Sequence, residues 1–270
     1  MKKTFLNREN PMLVAMIQKQ TAQECIAEAI NAVYDGADAL GLQLECLSDA
    51  EKSDEQQKRI FDAMGEKPCY FTNYRYGTNT GKSDEVLADE TVHAVELGGK
   101  LADIPGDLFD SSAEVGDKKE ACRFRECTGD KAAIEKQKAL IGRIHAVGGE
   151  TLMSAHVMRF LPAEDILNIA LDFESRGADV VKIVSGASST EEEIENLRIT
   201  ALLKKELKTP FLFLSGGTHY RRHRLFGPMF GCGYWLCVDR HYPGSTASQP
   251  LLSEVKAVLE HTKYLDFCGM

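Results

Sequence analysis

Eight short β-like runs alternate with helical periods along the 270 residues, and this alternation limits the possible folds more than any other feature. The runs fall at 12–17 (MLVAMI), 38–44, 68–73, 99–104, 150–156, 179–185, 210–215 and 233–238. Helical periods at 21–35, 53–64, 84–97, 130–147, 162–175, 190–206 and 250–263 separate most of them. Several helices have readable starts: "SDEQQ" and "STEEE" place Ser or Thr before acidic residues, and Pro162 opens another. Regular strand–helix alternation of this length predicts a single-domain (β/α)8 TIM barrel spanning 1–270. A doubly wound open sheet is the alternative, but no GxGxxG follows the first run. Residues 105–129 are polar and mixed in charge, which predicts a surface excursion after the fourth strand.

The formal charge of −9 sets up a field that repels nucleic acid and anionic membranes, so neither is an expected partner. No apolar run approaches the ~18 residues of a membrane span. The opening "MKKTFLNRENPML" turns polar too soon for a signal peptide, so a cytoplasmic location is expected. The eight cysteines are scattered without a CxxC pair. Cys122 and Cys127 lie five apart, as do Cys232 and Cys237, and neither pair neighbours the histidines a zinc site needs. Reduced thiols and no metal are expected.

Within this frame "GADVVKIV" (177–184) carries one misfit, Lys182 among Val180, Val181, Ile183 and Val184. Strand alternation sends Lys182 the same way as Val180 and Val184, toward a barrel interior. A buried ammonium must be paired or give up its proton, and a desolvated neutral amine is a nucleophile. Two readings stay open: a catalytic amine, or a structural lysine paired with a carboxylate such as Glu45 or Asp103. His156 ends the preceding run and is a candidate proton carrier. "HYRRHRLFGPMFG" (219–231) concentrates Arg221, Arg222 and Arg224, and the apolar tail of that segment predicts that at least one guanidinium turns inward to hold a carboxylate.

These residues together resemble the type I 3-dehydroquinate dehydratases. "GADVVKI" matches the family's Schiff-base strand with Lys182, and Ser154-Ala155-His156 matches the step bearing its catalytic histidine. Arg224 in "RLFGPMFGC" matches the carboxylate-binding arginine, and "STASQ" keeps Ser245 and Gln249 at the spacing of the family's closing loop. The resemblance runs from about residue 11 to the C-terminal helix. It implies a metal-free, cofactor-free lyase that forms an imine between Lys182 and a small anionic keto acid, with His156 moving the proton. Arg224, Ser245 and Gln249 would hold the carboxylate, loop 240–249 would close over it, and a homodimer is expected.

The departures from the family pattern fall on strands two to four. The family's "E-x-R" is replaced by Gly41 and Gln43, with Glu45 two residues on as a possible substitute. Its third-strand arginine and glutamate correspond to Arg75, one residue late, and Asn79, which can orient an imidazole but not neutralise an imidazolium. The fourth strand ends in Pro105 where the family has glutamate. The anchor half of the site is kept and the hydroxyl-reading half rewritten, which predicts a wider, less polar pocket there and poor use of 3-dehydroquinate. A class I aldolase-type reaction on a small keto acid and a non-catalytic carboxylate-binding barrel are the alternatives.

Overall fold

A computed structural model describes residues 3–6, 11–110, 127–157 and 159–262. Most of the expected 105–129 excursion lies outside the described residues. Eight parallel strands run β1 (Met12–Ile17), β2 (Ala39–Gln43), β3 (Cys69–Thr72), β4 (Leu101–Pro105), β5 (Glu150–His156), β6 (Val180–Ala187), β7 (Phe211–Gly217) and β8 (Tyr234–Cys237). Each expected run overlaps one of them, and β4, β6 and β7 extend one or two residues past the expected ends. The sheet order is β7-β6-β5-β4-β3-β2-β1-β8. At the remaining seam the Gly233 N–H donates to the Phe211 carbonyl at 2.9 Å, bringing β8 alongside β7 in a nearly closed (β/α)8 TIM barrel.

Helices α1 (Ala22–Tyr34), α2 (Asp54–Ala63), α3 (Asp84–Leu97), α4 (Lys131–Ala146), α5 (Ala163–Ser175), α6 (Thr190–Glu206), α7 (Arg221–Phe226) and α8 (Leu252–His261) surround the sheet. Their starts follow from side-chain chemistry. Thr21 and Glu24 form a reciprocal capping box, and Ser53, Ser83, Asp130 and Ser189 each accept a first-turn N–H. The short α7 has no counterpart among the predicted helical periods. It is one and a half turns of mostly basic residues, too brief and too polar to show a period.

Strand alternation sorts the apolar side chains into two cores. Odd positions of β1 (Leu13, Ala15, Ile17) pack outward against helices with Cys25, Ala29 and Ala32 of α1. Even positions (Met12, Val14, Met16) join Tyr70, Leu101, Leu152, Val180, Leu212 and Tyr234 inside the barrel. Phe5 closes the floor, where the Tyr234 hydroxyl donates to its carbonyl at 2.8 Å. Lys182 shares the inner face with Val180 and Val184, as alternation predicts. Cys25, Cys46, Cys232 and Cys237 are free thiols. Among the described residues no helix is long and apolar enough to cross a membrane.

Candidate active site

The inner faces of adjacent strands deliver a polar layer above the apolar floor. Ser154 on β5 is the register partner of Lys182 on β6. Asp103 on β4 and Tyr70 on β3 continue the layer, and Tyr74 follows just beyond β3. Lys182 Nζ donates to the Tyr70 hydroxyl (2.8 Å), the Tyr74 hydroxyl (2.9 Å) and Asp103 Oδ2 (3.1 Å). Those three acceptors use the whole donor capacity of an ammonium. Both tyrosine hydroxyls in turn donate to Asp103 Oδ2 at 2.5 Å, and Ser154 Oγ donates to Oδ1 at 2.5 Å. Burial, then the Asp103 charge, hold both phenols well above their ordinary titration range, so they stay neutral.

The open paired-lysine reading therefore has its partner, and it is Asp103 rather than Glu45. Glu45 lies in the short turn Leu44–Cys46. It accepts from Thr72 Oγ1 at 2.8 Å and bonds the Tyr76 side chain, and burial first of all raises its carboxyl above the usual range. Its carbonyl closes over Gly77, whose φ of +62° and missing side chain let the chain pass where a Cβ would lie 2.2 Å from that oxygen. This tight crossing sets the loop that carries Tyr74 and Tyr76 to the barrel mouth.

Above Lys182 lies a cavity of about 190 Å³. His156, Arg224, Gln249 and Gln43 line it with Lys182, together with Tyr70, Tyr74, Tyr76 and Thr246. The His156 ring meets Tyr74 edge-on, with centroids 5.5 Å apart. Burial chiefly, and then the positive charges of Lys182 and Arg224, push His156 well below its ordinary value, so the imidazole is neutral and able to accept a proton.

Arg224 comes from α7, whose backbone is pinned by Trp235 Nε1 donating to the Arg224 carbonyl at 3.0 Å. Its Nε donates to the Ser215 carbonyl at 2.6 Å and Nη1 to Gln249 Oε1 at 3.2 Å. No carboxylate among the described residues pairs with it, and burial lowers its pKa to about 10. A buried guanidinium whose ligands are only neutral oxygens is a receptor for an anion.

Loop 240–249 lies over the cavity and is tied to Gln18 after β1. Thr246 N–H donates to Gln18 Oε1 (2.6 Å), Gln18 Nε2 donates to Thr246 Oγ1 (2.8 Å), and the Gln18 N–H donates to the Tyr242 hydroxyl (2.9 Å). Gln18 Nε2 also donates to Gln43 Oε1 at 2.5 Å, so one amide joins the loop to the β2 side of the mouth.

Four expected site residues point elsewhere. Ser245 Oγ donates to the Tyr242 carbonyl at 2.9 Å within its own loop. Arg75 forms ion pairs with Asp84 at 2.7 Å and Asp107 at 2.9 Å. Asn79 Nδ2 donates to Asn73 Oδ1 (2.7 Å) and the Tyr74 carbonyl (2.9 Å), and its Oδ1 accepts from Lys52 (2.6 Å), which makes it a brace for the tyrosine loop. Glu45 stands behind Tyr76. None of the four lines the cavity around Lys182.

The β2 face corrects the expectation of a wider pocket. Met16 Sδ lies 2.1 Å from where a Cβ on Gly41 would be, so the methionine fills the space the glycine vacates. Tyr70, Tyr74 and Tyr76, with Met16, give that side an aromatic and thioether wall. The period-two pattern could have placed Tyr70 and Asp103 beside Lys182, since all three occupy inner positions. Tyr74 and Tyr76 sit on a loop, where no periodicity applies.

The described residues contain no cluster of three His, Cys, Asp or Glu arranged to hold a metal. A profile of the type I 3-dehydroquinases matches residues 13–265. The 3-dehydroquinate dehydratase of Klebsiella pneumoniae is 25% identical over 236 residues, 84% of each chain. That of Alkaliphilus oremlandii is 30% identical over 137 residues, 49% of this chain, so the match spans about half (52%) of that relative's length. Among solved structures, 3-dehydroquinate dehydratase from Geobacillus kaustophilus superposes with a TM-score of 0.77 at 17% identity, covering 95% of this chain and 92% of its own. The Clostridium difficile enzyme gives 0.75 at 16% identity, covering 94% and 93%. The barrel and the profile match along nearly its whole length place this chain in the type I 3-dehydroquinase family.

Proposed function

We propose that the protein is a Schiff-base lyase that dehydrates a small cyclic keto acid by the chemistry of 3-dehydroquinate dehydratase. The observation that carries this reading is the convergence of Lys182, His156 and Arg224 on one cavity. Each supplies a different requirement: an amine to form the imine, a neutral base, and an anchor that fixes the carboxylate relative to both. Lys182 attacks the ketone and loses water to give an iminium. That cation acidifies the adjacent C–H, and His156 takes the proton. The enamine then expels the β-hydroxyl, reprotonated by His156, and hydrolysis returns the amine. Arg224 and Gln249 hold the carboxylate beneath loop 240–249, which excludes water. The setting proposed is a cytoplasmic homodimer, which sedimentation equilibrium and cell fractionation test.

Dehydroquinate itself is expected to be a poor substrate. Met16 and the tyrosines offer its ring hydroxyls fewer partners than a carboxylate and a guanidinium would, and an unmatched hydroxyl loses its water without compensation. The test is incubation with 3-dehydroquinate and borohydride, then peptide mass spectrometry. The reading expects a reduced adduct on Lys182, an enone absorbing in the near ultraviolet, and loss of both in Lys182→Ala. An adduct on another lysine overturns the assignment. Carbonyl fragments in place of an enone would indicate an aldolase-type cleavage. The non-catalytic alternative draws its support from the three hydrogen bonds that occupy Lys182 Nζ, and it predicts binding with no adduct.

A further inference from the structure

An ammonium has no lone pair, so an amine held as Lys182 is held cannot attack a ketone until a contacting group takes a proton. Among the described residues the carboxylate in contact with Nζ is Asp103. The two phenols that bridge Nζ and Asp103 Oδ2 lie 2.8 and 2.9 Å from the nitrogen. We propose that Asp103, Tyr70 and Tyr74 are the acid–base unit for making and breaking the imine at Lys182, separate from the proton transfer at carbon assigned to His156. The proposal rests on the imine reading above.

The steps balance as follows. Asp103 accepts one proton from the ammonium, giving a neutral amine and a neutral carboxylic acid. The amine nitrogen forms the C–N bond as the carbonyl π bond breaks, and transfer of a nitrogen proton to the oxygen gives the carbinolamine. Its hydroxyl is attached to the carbon bonded to Nζ, which places it beside the phenols that surround that nitrogen. A tyrosine hydroxyl donates to this oxygen while accepting the proton held by Asp103. The C–O bond then breaks and water leaves. The result is an iminium, two neutral phenols and the original Asp103 carboxylate. Hydrolysis runs the same path in reverse. Because a phenol both donates and accepts, each can pass a proton without carrying net charge through a desolvated site.

Ser154 supports the arrangement by donating to the other Asp103 oxygen, which leaves Oδ2 facing the amine and the phenols. His156 is not needed for these steps. Neutral and on the neighbouring strand end, it remains available for the carbon-bound proton.

The test follows exchange of the 3-dehydroquinate ketone oxygen with ¹⁸O-water, which reports imine formation and hydrolysis without requiring dehydration. Lys182→Ala supplies the background rate. In His156→Ala the proposal expects exchange above that background to persist while enone formation stops. Adding Tyr74→Phe or Tyr70→Phe to His156→Ala should slow exchange by about a hundredfold or more, the lower end of the range for losing a positioned acid–base group. Circular dichroism and the calorimetric affinity for 3-dehydroquinate, set by Arg224, show whether each variant is folded and loaded. If one phenylalanine variant misfolds, the other decides. Unchanged exchange in a folded phenylalanine variant overturns the proposal, and so does loss of exchange in His156→Ala alone. No Lys182-dependent exchange in the unmodified protein overturns the imine reading itself.

Discussion

Lys182 Nζ lies 3.1 Å from Asp103 Oδ2, with 6% and 0% of the two side chains exposed. The pair is asymmetric. Asp103 keeps three hydroxyl donors if the lysine is removed, from Tyr70, Tyr74 and Ser154. Lys182 keeps only two phenols and no counter-charge if the aspartate is removed. Breaking a buried ion pair from one side costs about 3–5 kcal/mol, because the orphaned charge stays desolvated. We expect Asp103→Ala to lose that amount in urea unfolding and Lys182→Met to lose clearly less. Equal losses would mean that the hydroxyl cage does little for the carboxylate.

The contact between Gly41 and Met16 makes a second prediction. A Cβ at position 41 would sit 2.1 Å from Met16 Sδ and 2.8 Å from its Cε. Gly41→Ala therefore overpacks the barrel interior and should cost about 1–3 kcal/mol in urea unfolding. Met16→Ala in the same chain should recover most of that loss. For the same reason Gly41→Glu alone cannot restore a substrate-reading carboxylate, because the methionine already holds the space. A freely tolerated Gly41→Ala would show that Met16 swings aside at little cost.

The barrel was legible because its signals are periodic and repeated. All eight strands overlap the runs that alternation marks, three of them running one or two residues past the expected ends, and the inward aim of Lys182 follows from period two. Motif spacing singled out Lys182, His156, Arg224 and Gln249, and in the structure these four line one cavity. Arg75 and Asn79 were harder to place, because the loop after β3 turns at Gly77 over the Glu45 carbonyl and no spacing rule encodes that crossing. The space above Gly41 was misread for another reason. Its occupant, Met16, belongs to the neighbouring strand, and long flexible side chains fill gaps that a single strand's pattern cannot reveal.

Arg224 and Arg222 should behave differently although they sit on one short helix. Arg224 is buried, faces the cavity and, among the described residues, has only neutral oxygen partners. Arg224→Ala should weaken keto-acid binding by about 2–4 kcal/mol, the range for losing a desolvated charge-assisted pair. The Arg222 side chain is 61% exposed and pairs at 2.7 Å with Glu193 on α6, whose side chain is 2% exposed. Arg222→Ala should leave the dissociation constant unchanged and cost at most about 1 kcal/mol of stability, because solvent screens the exposed arginine and the buried Glu193 carboxylate keeps the backbone N–H groups of residue 222 and His223. Isothermal titration with a keto acid checks the first expectation and urea unfolding the second. Equal losses of affinity would point to a diffuse electrostatic field in place of one anchor.

Next to Arg224 on the same helix, His223 ties the anchor to pH. The Ser215 N–H donates to His223 Nδ1 at 3.2 Å, so that nitrogen is an acceptor, and Nε2 faces Thr200 Oγ1 at 3.0 Å. A proton on Nδ1 would oppose the Ser215 N–H inside the core. Burial, with a smaller contribution from Arg224, lowers the His223 pKa from 6.5 to about 3. The folded value lies below the unfolded one, so the unfolded chain takes up a proton that the native protein refuses. Stability therefore falls as pH drops below 6.5 and goes on falling toward pH 3. One proton of difference corresponds to about 1.4 kcal/mol per pH unit. His156 acts in the same direction, and Glu45, whose folded value is raised, acts in the opposite one. Comparing the protein with His223→Gln cancels both contributions. Urea unfolding between pH 7 and pH 5 should give the variant a slope shallower by about one proton through the acid half of that range. Parallel slopes would mean that native His223 takes up its proton over the same pH range as the unfolded chain, and that the Ser215 hydrogen bond does not hold α7 against β7.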